Sequence, residues 1–185
     1  MVVDVLFVCT GNLCRSPSAE RFLTRLLAQA GVEDVTVESA GIVGASIGVP
    51  DLLVVEAATY GLDLRHHVPR RVDHDTLVRA DLVIGMARYH AREIVLAEPG
   101  AFARTFTLRD LVRRAEKDGP RMEGTLADWL GSIGAGRRHL DLVGDLPVDD
   151  IPDPIGGNAE VYRGMLAEVA ALTDVLRRLA WPATG

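Results

Sequence analysis

The sequence predicts an α/β fold: a three-layer sandwich in which a parallel sheet of about four strands lies between helices on both faces. Residues 2–8 form an apolar, β-branched run broken only by Asp4, which is typical of a buried strand. Residues 19–31 place apolar side chains at helical spacing, and residues 35–39 have strand composition. A strand, a helix and a strand in this order make a βαβ unit, whose two strands pair in parallel.

The elements after this unit continue the alternation. Residues 81–86 predict a third strand and residues 105–108 a shorter fourth one. Two helices are predicted within residues 109–146, and we interpret this segment as an elaboration of one domain that spans residues 1–185. The other helical patterns occupy residues 50–60, 89–97 and 160–179.

Composition and charge disfavour several classes of function. The net charge of −6 argues against binding to nucleic acid or to an acidic membrane surface. No apolar run is long enough to span a membrane, and Met1 leads into the first strand without the basic start of a signal peptide. Two nearby cysteines, Cys9 and Cys14, do not make the disulfide framework of a secreted protein. We therefore predict a cytoplasmic protein, because a reducing compartment keeps a reactive thiol free.

The most informative stretch joins the first strand to the first helix. Cys9 ends the strand, and five residues separate it from Arg15. Ser16 and Pro17 follow as a helix start, with Ser16 as the predicted N-cap and Pro17 at the first helical position. A loop in this position can direct its backbone N–H groups at an anion beside the positive end of a helix. A cysteine near that helix end and a guanidinium should exist largely as the nucleophilic thiolate.

These features predict a phosphate-binding loop that contains a covalent nucleophile. The alternative is that Cys9 is a buried core cysteine and Arg15 a surface charge. The functional interpretation is favoured because the strand, the cysteine, the turn residues, the arginine and the helix start all agree. The predicted loop residues are Thr10, Gly11, Asn12, Leu13, Cys14 and Arg15.

A thiolate that attacks a phosphate ester needs an acid to protonate the leaving oxygen. Asp153 is the conspicuous candidate, because it precedes the final helix and the prolines on both sides stiffen its backbone. An isolated Asp-Pro pair would otherwise indicate only a turn. The rival carboxylates nearby, which lack such rigid flanks, are Asp145, Asp149 and Asp150.

The segment from Val8 to Glu20, together with the late pair Asp153-Pro154, resembles the low-molecular-weight protein tyrosine phosphatases. Weaker matches in the middle extend the resemblance over nearly the whole chain: Ser39-Ala40-Gly41, His67 with Arg70, and Ala80 to Met86.

The resemblance implies a role for each residue that matches the family's motifs. Cys9 would form a cysteinyl-phosphate, and Arg15 would clamp two phosphate oxygens. Asp153 would protonate the leaving group and then activate water. The implied supporting roles are Asn12 holding the loop, Ser16 hydrogen-bonding the thiolate and His67 supporting Asn12.

Cys14 has three possible roles. By the same resemblance, it would form a reversible disulfide with Cys9 that protects the nucleophile from over-oxidation. It would otherwise be a small loop residue without a redox role. A metal site of the two thiols is disfavoured, because the sequence has no histidine close to them. We therefore predict neither a metal nor a cofactor.

The walls of the pocket leave the substrate less defined than the reaction. We expect Leu13 and Ile155 to line it, and no aromatic residue occurs in residues 42–49 or directly after Pro154. The Pro-x-Gly-Gly pattern at Pro154 resembles the protein-arginine phosphatase branch of the family. The apolar residue at position 13, Leu13, instead resembles the choice in the tyrosine phosphatases.

We favour a protein-tyrosine phosphatase, with a protein-arginine phosphatase as the alternative. An arsenate reductase is disfavoured because no cysteine follows Cys14. A non-catalytic phosphate sensor is disfavoured because Cys9, Arg15 and Asp153 are all present. The expected partners are a phosphorylated protein or a small phosphate ester, with the phosphate in the loop, and neither nucleic acid nor membrane.

Overall fold

A computed structural model describes residues 2–144 and 146–182. It contains a four-stranded sheet, and each neighbouring pair of strands is parallel. The strands are β1 (Val3–Cys9), β2 (Val35–Gly41), β3 (Leu82–Gly85) and β4 (Thr105–Thr107), in the spatial order β2-β1-β3-β4. The predicted α/β architecture is confirmed.

Helices cover both faces of this sheet. They are α1 (Arg15–Gln29), α2 (Asp51–Thr59), α3 (His74–Arg79), α4 (Arg88–Ala97), α5 (Leu108–Asp118), α6 (Leu126–Ile133) and α7 (Ala159–Ala180). The alternation along β1 divides the core, because successive strand side chains point to opposite faces. Val5 and Phe7 pack with α1, α5 and α7, whereas Leu6 and Val8 pack with α3 and α4.

The helix boundaries differ from the predicted ones at two places. α1 begins at Arg15, so Ser16 is its second residue and not its N-cap; that prediction was wrong. The reason is that the Ser16 hydroxyl is directed at the sulfur of Cys9 instead of the helix backbone. The sequence interpretation also missed α3, a six-residue helix whose N-cap Asp73 accepts a hydrogen bond from the backbone N–H of Thr76.

The sheet brings its functional ends together. β1 and β3 are neighbours, and beyond their paired residues the backbone N–H of Met86 donates to the carbonyl of Val8 across 2.9 Å. Ile151 N–H then donates to the carbonyl of Met86 across 2.9 Å, which brings the loop before α7 to the same edge. Ligands of open α/β sheets bind at the carboxyl ends of the strands. Within residues 2–144 and 146–182, no helix has the length and apolar character that crossing a membrane requires.

Candidate active site

The loop between β1 and α1 surrounds the sulfur of Cys9 with hydrogen-bond donors. The backbone N–H of Asn12 lies 3.2 Å from Cys9 Sγ, and the Ser16 hydroxyl lies 3.0 Å from it. Both groups can donate to a thiolate and stabilise its negative charge. The N-cap of α1 is Cys14, whose side chain makes no capping hydrogen bond, so the first turn presents its backbone N–H groups beside the loop.

Asn12 holds the loop in shape. It is fully buried and has a φ of 56°, a left-handed conformation that asparagine tolerates better than most residues. Its side-chain amide donates to the hydroxyl oxygens of Ser16 at 3.0 Å and Ser39 at 2.8 Å. The backbone N–H of Arg70 donates to Asn12 Oδ1 across 3.0 Å. The amide therefore links Ser16, whose hydroxyl contacts Cys9 Sγ, to Ser39 near the end of β2.

The imidazole of His67 contacts Asn12. Its Nε2 is 2.9 Å from the carbonyl oxygen of Asn12 and 3.1 Å from Asn12 Oδ1. Both partners are acceptors, so Nε2 carries the proton and donates. Burial lowers the pKa of His67, partly offset by the hydrogen bond to Asn12, and the neutral imidazole is favoured.

Arg15 and Asp153 meet across the pocket although 138 residues separate them. Arg15 Nη2 donates to Asp153 Oδ2 at 2.6 Å and to Thr10 Oγ1 at 3.3 Å. Arg15 Nη1 donates to the carbonyl of Ile151 at 3.1 Å. The guanidinium is thus oriented by a loop residue and by the segment that carries Asp153. The Arg15 side chain is 6% exposed, whereas that of Asp153 is 44% exposed and reachable by a substrate.

Two of the rival carboxylates, Asp149 and Asp150, are hydrogen-bonded to groups outside the pocket. Asp149 is 4% exposed and accepts from Arg88 Nη2 at 2.8 Å and from Arg113 Nη2 at 2.9 Å. Asp150 Oδ1 accepts from the backbone N–H of Arg88 at 2.6 Å. Neither carboxylate lines the pocket around Cys9. The third rival, Asp145, lies outside the described residues.

The pocket above Cys9 has a volume of about 220 Å³ and aliphatic walls. Leu13 and Ile155 line it as predicted, and Ile47 forms a third wall that the sequence interpretation missed. Asp153 is the one carboxylate among its lining residues in the described part of the chain. The pocket therefore combines a polar floor with an apolar mouth, which suits a phosphate on an apolar or aromatic group.

The Gly-Gly pair after Ile155 has a structural explanation. Gly156 has a φ of 77°, and a Cβ at Gly157 would lie 2.7 Å from the side chain of Val161. Both positions thus require glycine for the turn into α7. The Pro-x-Gly-Gly pattern therefore fixes the turn that carries the pocket residue Ile155.

Cys14 lies beside Cys9 in the pocket lining, and both cysteines are free thiols. Burial raises the pKa of the Cys14 thiol to about 12, and the nearby Cys9 and Asp153 add to the effect. Cys14 is therefore protonated at neutral pH, unlike a nucleophilic cysteine.

Several residues of the site were missed at the level of sequence. Ser39 donates to Glu20 Oε2 at 2.6 Å, and Arg70 Nε donates to the carbonyl of Ser39 at 2.9 Å. The buried His90 lies against Thr10. Ser39 and His90 follow the rule that functional groups gather at the carboxyl ends of parallel strands, which was the available signal. Within residues 2–144 and 146–182, no group of three or more His, Cys, Asp or Glu residues is placed to hold a metal ion.

A family model described as low molecular weight phosphotyrosine protein phosphatase matches residues 4–123. The chain belongs to this family. The predicted family, and with it the predicted class of enzyme, is confirmed. Asp153 lies beyond the matched range, so its assignment depends on the geometry above.

Individual relatives differ in how much of the chain they match. The protein-arginine-phosphatase of Bacillus subtilis is 29% identical over 179 residues, which cover 96% of this chain and 95% of that protein. The low molecular weight protein-tyrosine-phosphatase Etp of Escherichia coli is 30% identical and covers 63% of this chain and 76% of its own length. The crystal structure of a low molecular weight protein tyrosine phosphatase from T. tengcongensis has a TM-score of 0.70 and 28% identity, covering 94% of this chain and 97% of that one.

Proposed function

We propose that this protein hydrolyses phosphate monoesters of proteins, with phosphotyrosine as the substrate, through a cysteinyl-phosphate intermediate. The observation that supports this most directly is the convergence of Cys9, Arg15 and Asp153 on one pocket. They are a nucleophile, a phosphate clamp and an acid, which are the groups that the reaction needs.

In the first step, the Cys9 thiolate attacks phosphorus and the bond to the leaving oxygen breaks. Asp153, protonated in the complex, gives its proton to that oxygen, so the alcohol leaves neutral. Phosphate replaces Asp153 at the guanidinium of Arg15, whose two terminal nitrogens bind two phosphate oxygens. The backbone N–H groups of the loop hold the remaining negative charge.

In the second step, Asp153 takes a proton from water, and the water oxygen attacks phosphorus. The bond between sulfur and phosphorus breaks, which releases inorganic phosphate and the Cys9 thiolate. The Ser16 hydroxyl, 3.0 Å from Cys9 Sγ, stabilises the departing sulfur. No step needs a metal ion or a cofactor.

The walls of the pocket favour an aryl phosphate. Leu13, Ile47 and Ile155 form an apolar slot that fits an aromatic ring. Phosphoarginine is the second candidate, because the match to the arginine phosphatase of B. subtilis extends over 96% of this chain. Its cationic guanidinium would have to share Asp153, the pocket carboxylate that pairs with Arg15.

Segment 109–146 belongs to the phosphatase domain in this proposal. Leu111, Trp129 and Leu130 share one hydrophobic core with Phe7 and Leu166. The segment also supplies Arg109 and Arg113, which contact the loop before Asp153. These contacts support the loop that carries Asp153, and none of the described residues of this segment lines the pocket around Cys9. We place the enzyme in the cytoplasm, where reducing conditions keep Cys9 a free thiol.

Cys14 protects Cys9 against oxidation in this proposal. Peroxide oxidises the Cys9 thiolate to a sulfenic acid, and the Cys14 thiol displaces water from it to form a disulfide. A cellular thiol then reduces the disulfide and restores both cysteines. The presence of both sulfurs in one pocket lining supports this role.

The decisive experiment compares rates on matched phosphotyrosine and phosphoarginine peptides. We expect faster hydrolysis of phosphotyrosine, no turnover by Cys9→Ser, and retained phosphate binding by that variant. A preference for phosphoarginine would establish the second candidate. Full activity in Cys9→Ser, or loss of activity with a metal chelator, would contradict the mechanism.

A further inference from the structure

His90 is a buried polar residue that the proposed reaction does not use. It lies in the first turn of α4 and is 1% exposed. The pairing of β1 with β3 brings this turn beside the catalytic loop. Gly85 permits the close approach, because a Cβ there would lie 2.9 Å from the backbone nitrogen of Ala91 and 3.2 Å from the Cβ of His90.

His90 contacts the loop through the hydroxyl of Thr10. Its Nε2 lies 3.0 Å from Thr10 Oγ1, and Arg15 Nη2 lies 3.3 Å from the same oxygen. A guanidinium can only donate, so the hydroxyl oxygen accepts from Arg15. The three side chains form one polar chain that ends at the phosphate clamp.

The imidazole in this chain is neutral. Burial lowers the pKa of His90 to about 3, and the positive charge of Arg15 adds to the effect. Nδ1 is buried without a hydrogen-bond partner among the described residues. A buried N–H without an acceptor is rarer than an unpaired acceptor, so we assign the proton to Nε2. His90 then donates to Thr10, whose own proton remains available in the pocket that it lines.

We propose that His90 is a positioning residue for phosphate binding: through Thr10 it orients Arg15 and directs the Thr10 hydroxyl proton to a phosphate oxygen. The inference rests on the proposed function, since it requires phosphate at Arg15. Once Arg15 leaves Asp153, Thr10 and the carbonyl of Ile151 are the contacts that keep its guanidinium plane in place. A bidentate clamp depends on that orientation.

A double-mutant cycle tests the coupling. His90→Leu and Thr10→Val, alone and together, are compared for the Kd of inorganic phosphate and for kcat/KM on an aryl phosphate. We expect each single variant to lose about tenfold in both quantities and the double variant to lose little more than either. His90→Gln, which keeps an amide donor, should restore most of the loss. Leu96→Ala, an exposed position on the same helix, is the matched control.

The outcomes separate this inference from the proposed function. Wild-type protein that neither hydrolyses the ester nor binds phosphate would contradict the function itself. An active wild type together with losses that multiply in the double variant, or with unchanged phosphate affinity in a folded His90→Leu, would overturn only the role of His90. If His90→Leu does not fold, nitrogen NMR of the wild-type imidazole decides: a proton on Nε2 supports the inference, and one on Nδ1 overturns it.

Discussion

Arg15 Nη2 donates to the carboxylate of Asp153 across 2.6 Å, so the proposed phosphate clamp and the proposed general acid are in direct contact. The partners differ in accessibility, with Arg15 buried and Asp153 nearly half exposed. In the proposed mechanism, phosphate therefore replaces the carboxylate at Arg15, and Asp153 then faces the leaving group.

This relationship makes Asp153→Asn informative. We expect kcat to fall by about 10²- to 10⁴-fold, the usual contribution of a general acid. Phosphate affinity should not fall, because the substitution also removes the carboxylate that competes for Arg15. Steady-state kinetics and phosphate titration measure the two effects. A loss of kcat below about tenfold would contradict the assignment of Asp153 as the general acid.

The contact between Arg113 and the loop that carries Asp153 predicts an effect of Arg113→Gln. Arg113 holds Asp149, four residues before Asp153, so its loss should weaken proton donation. We expect kcat to fall by about fivefold on phenyl phosphate and less on p-nitrophenyl phosphate, whose leaving group needs little protonation. Arg114→Gln is the control, because Arg114 pairs with Asp110 and not with Asp149. An equal change on both substrates would argue against the anchoring role.

Asn12 combines a conformational and a hydrogen-bonding role, which two variants separate. Asn12→Gly keeps the positive φ but loses the amide, whereas Asn12→Ala loses both. We expect both variants to lose about tenfold or more in kcat/KM. The unfolding free energy of Asn12→Ala should be lower than that of Asn12→Gly by about 1 kcal/mol. Urea denaturation and kinetics give the two readouts. Full activity in Asn12→Gly would leave the amide network without a catalytic role.

The buried His90 predicts lower stability in acid. Its folded pKa of about 3 lies below the ordinary value of 6.5, so the unfolded chain binds a proton that the folded chain excludes. The stabilisation is complete above about pH 6.5 and is lost as the pH falls toward 3. When the pH falls from about 7 to 5, protonation of His90 in the unfolded chain should lower the unfolding free energy by about 2 kcal/mol.

Urea denaturation of the wild type and His90→Gln at both pH values measures this contribution. The variant should show the smaller loss. His74→Gln, which alters an exposed histidine, should behave as the wild type does. Equal losses in the wild type and His90→Gln would show that His90 is protonated in the folded state.

Peroxide treatment tests the role of Cys14. Wild-type enzyme should regain activity on addition of dithiothreitol, whereas Cys14→Ser should be inactivated irreversibly. Equal recovery of the wild type and Cys14→Ser would exclude a protective disulfide.

Alkylation tests the protonation of Cys14. Because the pKa of Cys14 is raised to about 12, iodoacetamide at neutral pH should modify Cys9 and spare Cys14. Mass spectrometry of the peptides would report which cysteine is modified.

Local patterns were sufficient to predict the fold and to single out the loop from Cys9 to Arg15. The apolar run of β1, the helical spacing of α1 and α7 and the motif from Cys9 to Arg15 are short-range features, readable along the chain. They predicted the parallel sheet, whereas the pocket walls Leu13 and Ile155 were expected from the family resemblance. The N-cap assignment of Ser16 was wrong because its hydroxyl is hydrogen-bonded to the sulfur of Cys9, seven residues earlier, and does not cap its own helix.

Folding had to supply the contacts between residues that are distant in sequence. Asp153 could be separated from Asp149 and Asp150 only when their partners were visible, because all three are acidic residues in one loop. His90 likewise acquires a role only from the pairing of β1 with β3, which places it 3.0 Å from Thr10. The proposed reaction thus follows from a local motif, whereas the orientation of Arg15 and the assignment of Asp153 as its acid depend on tertiary packing.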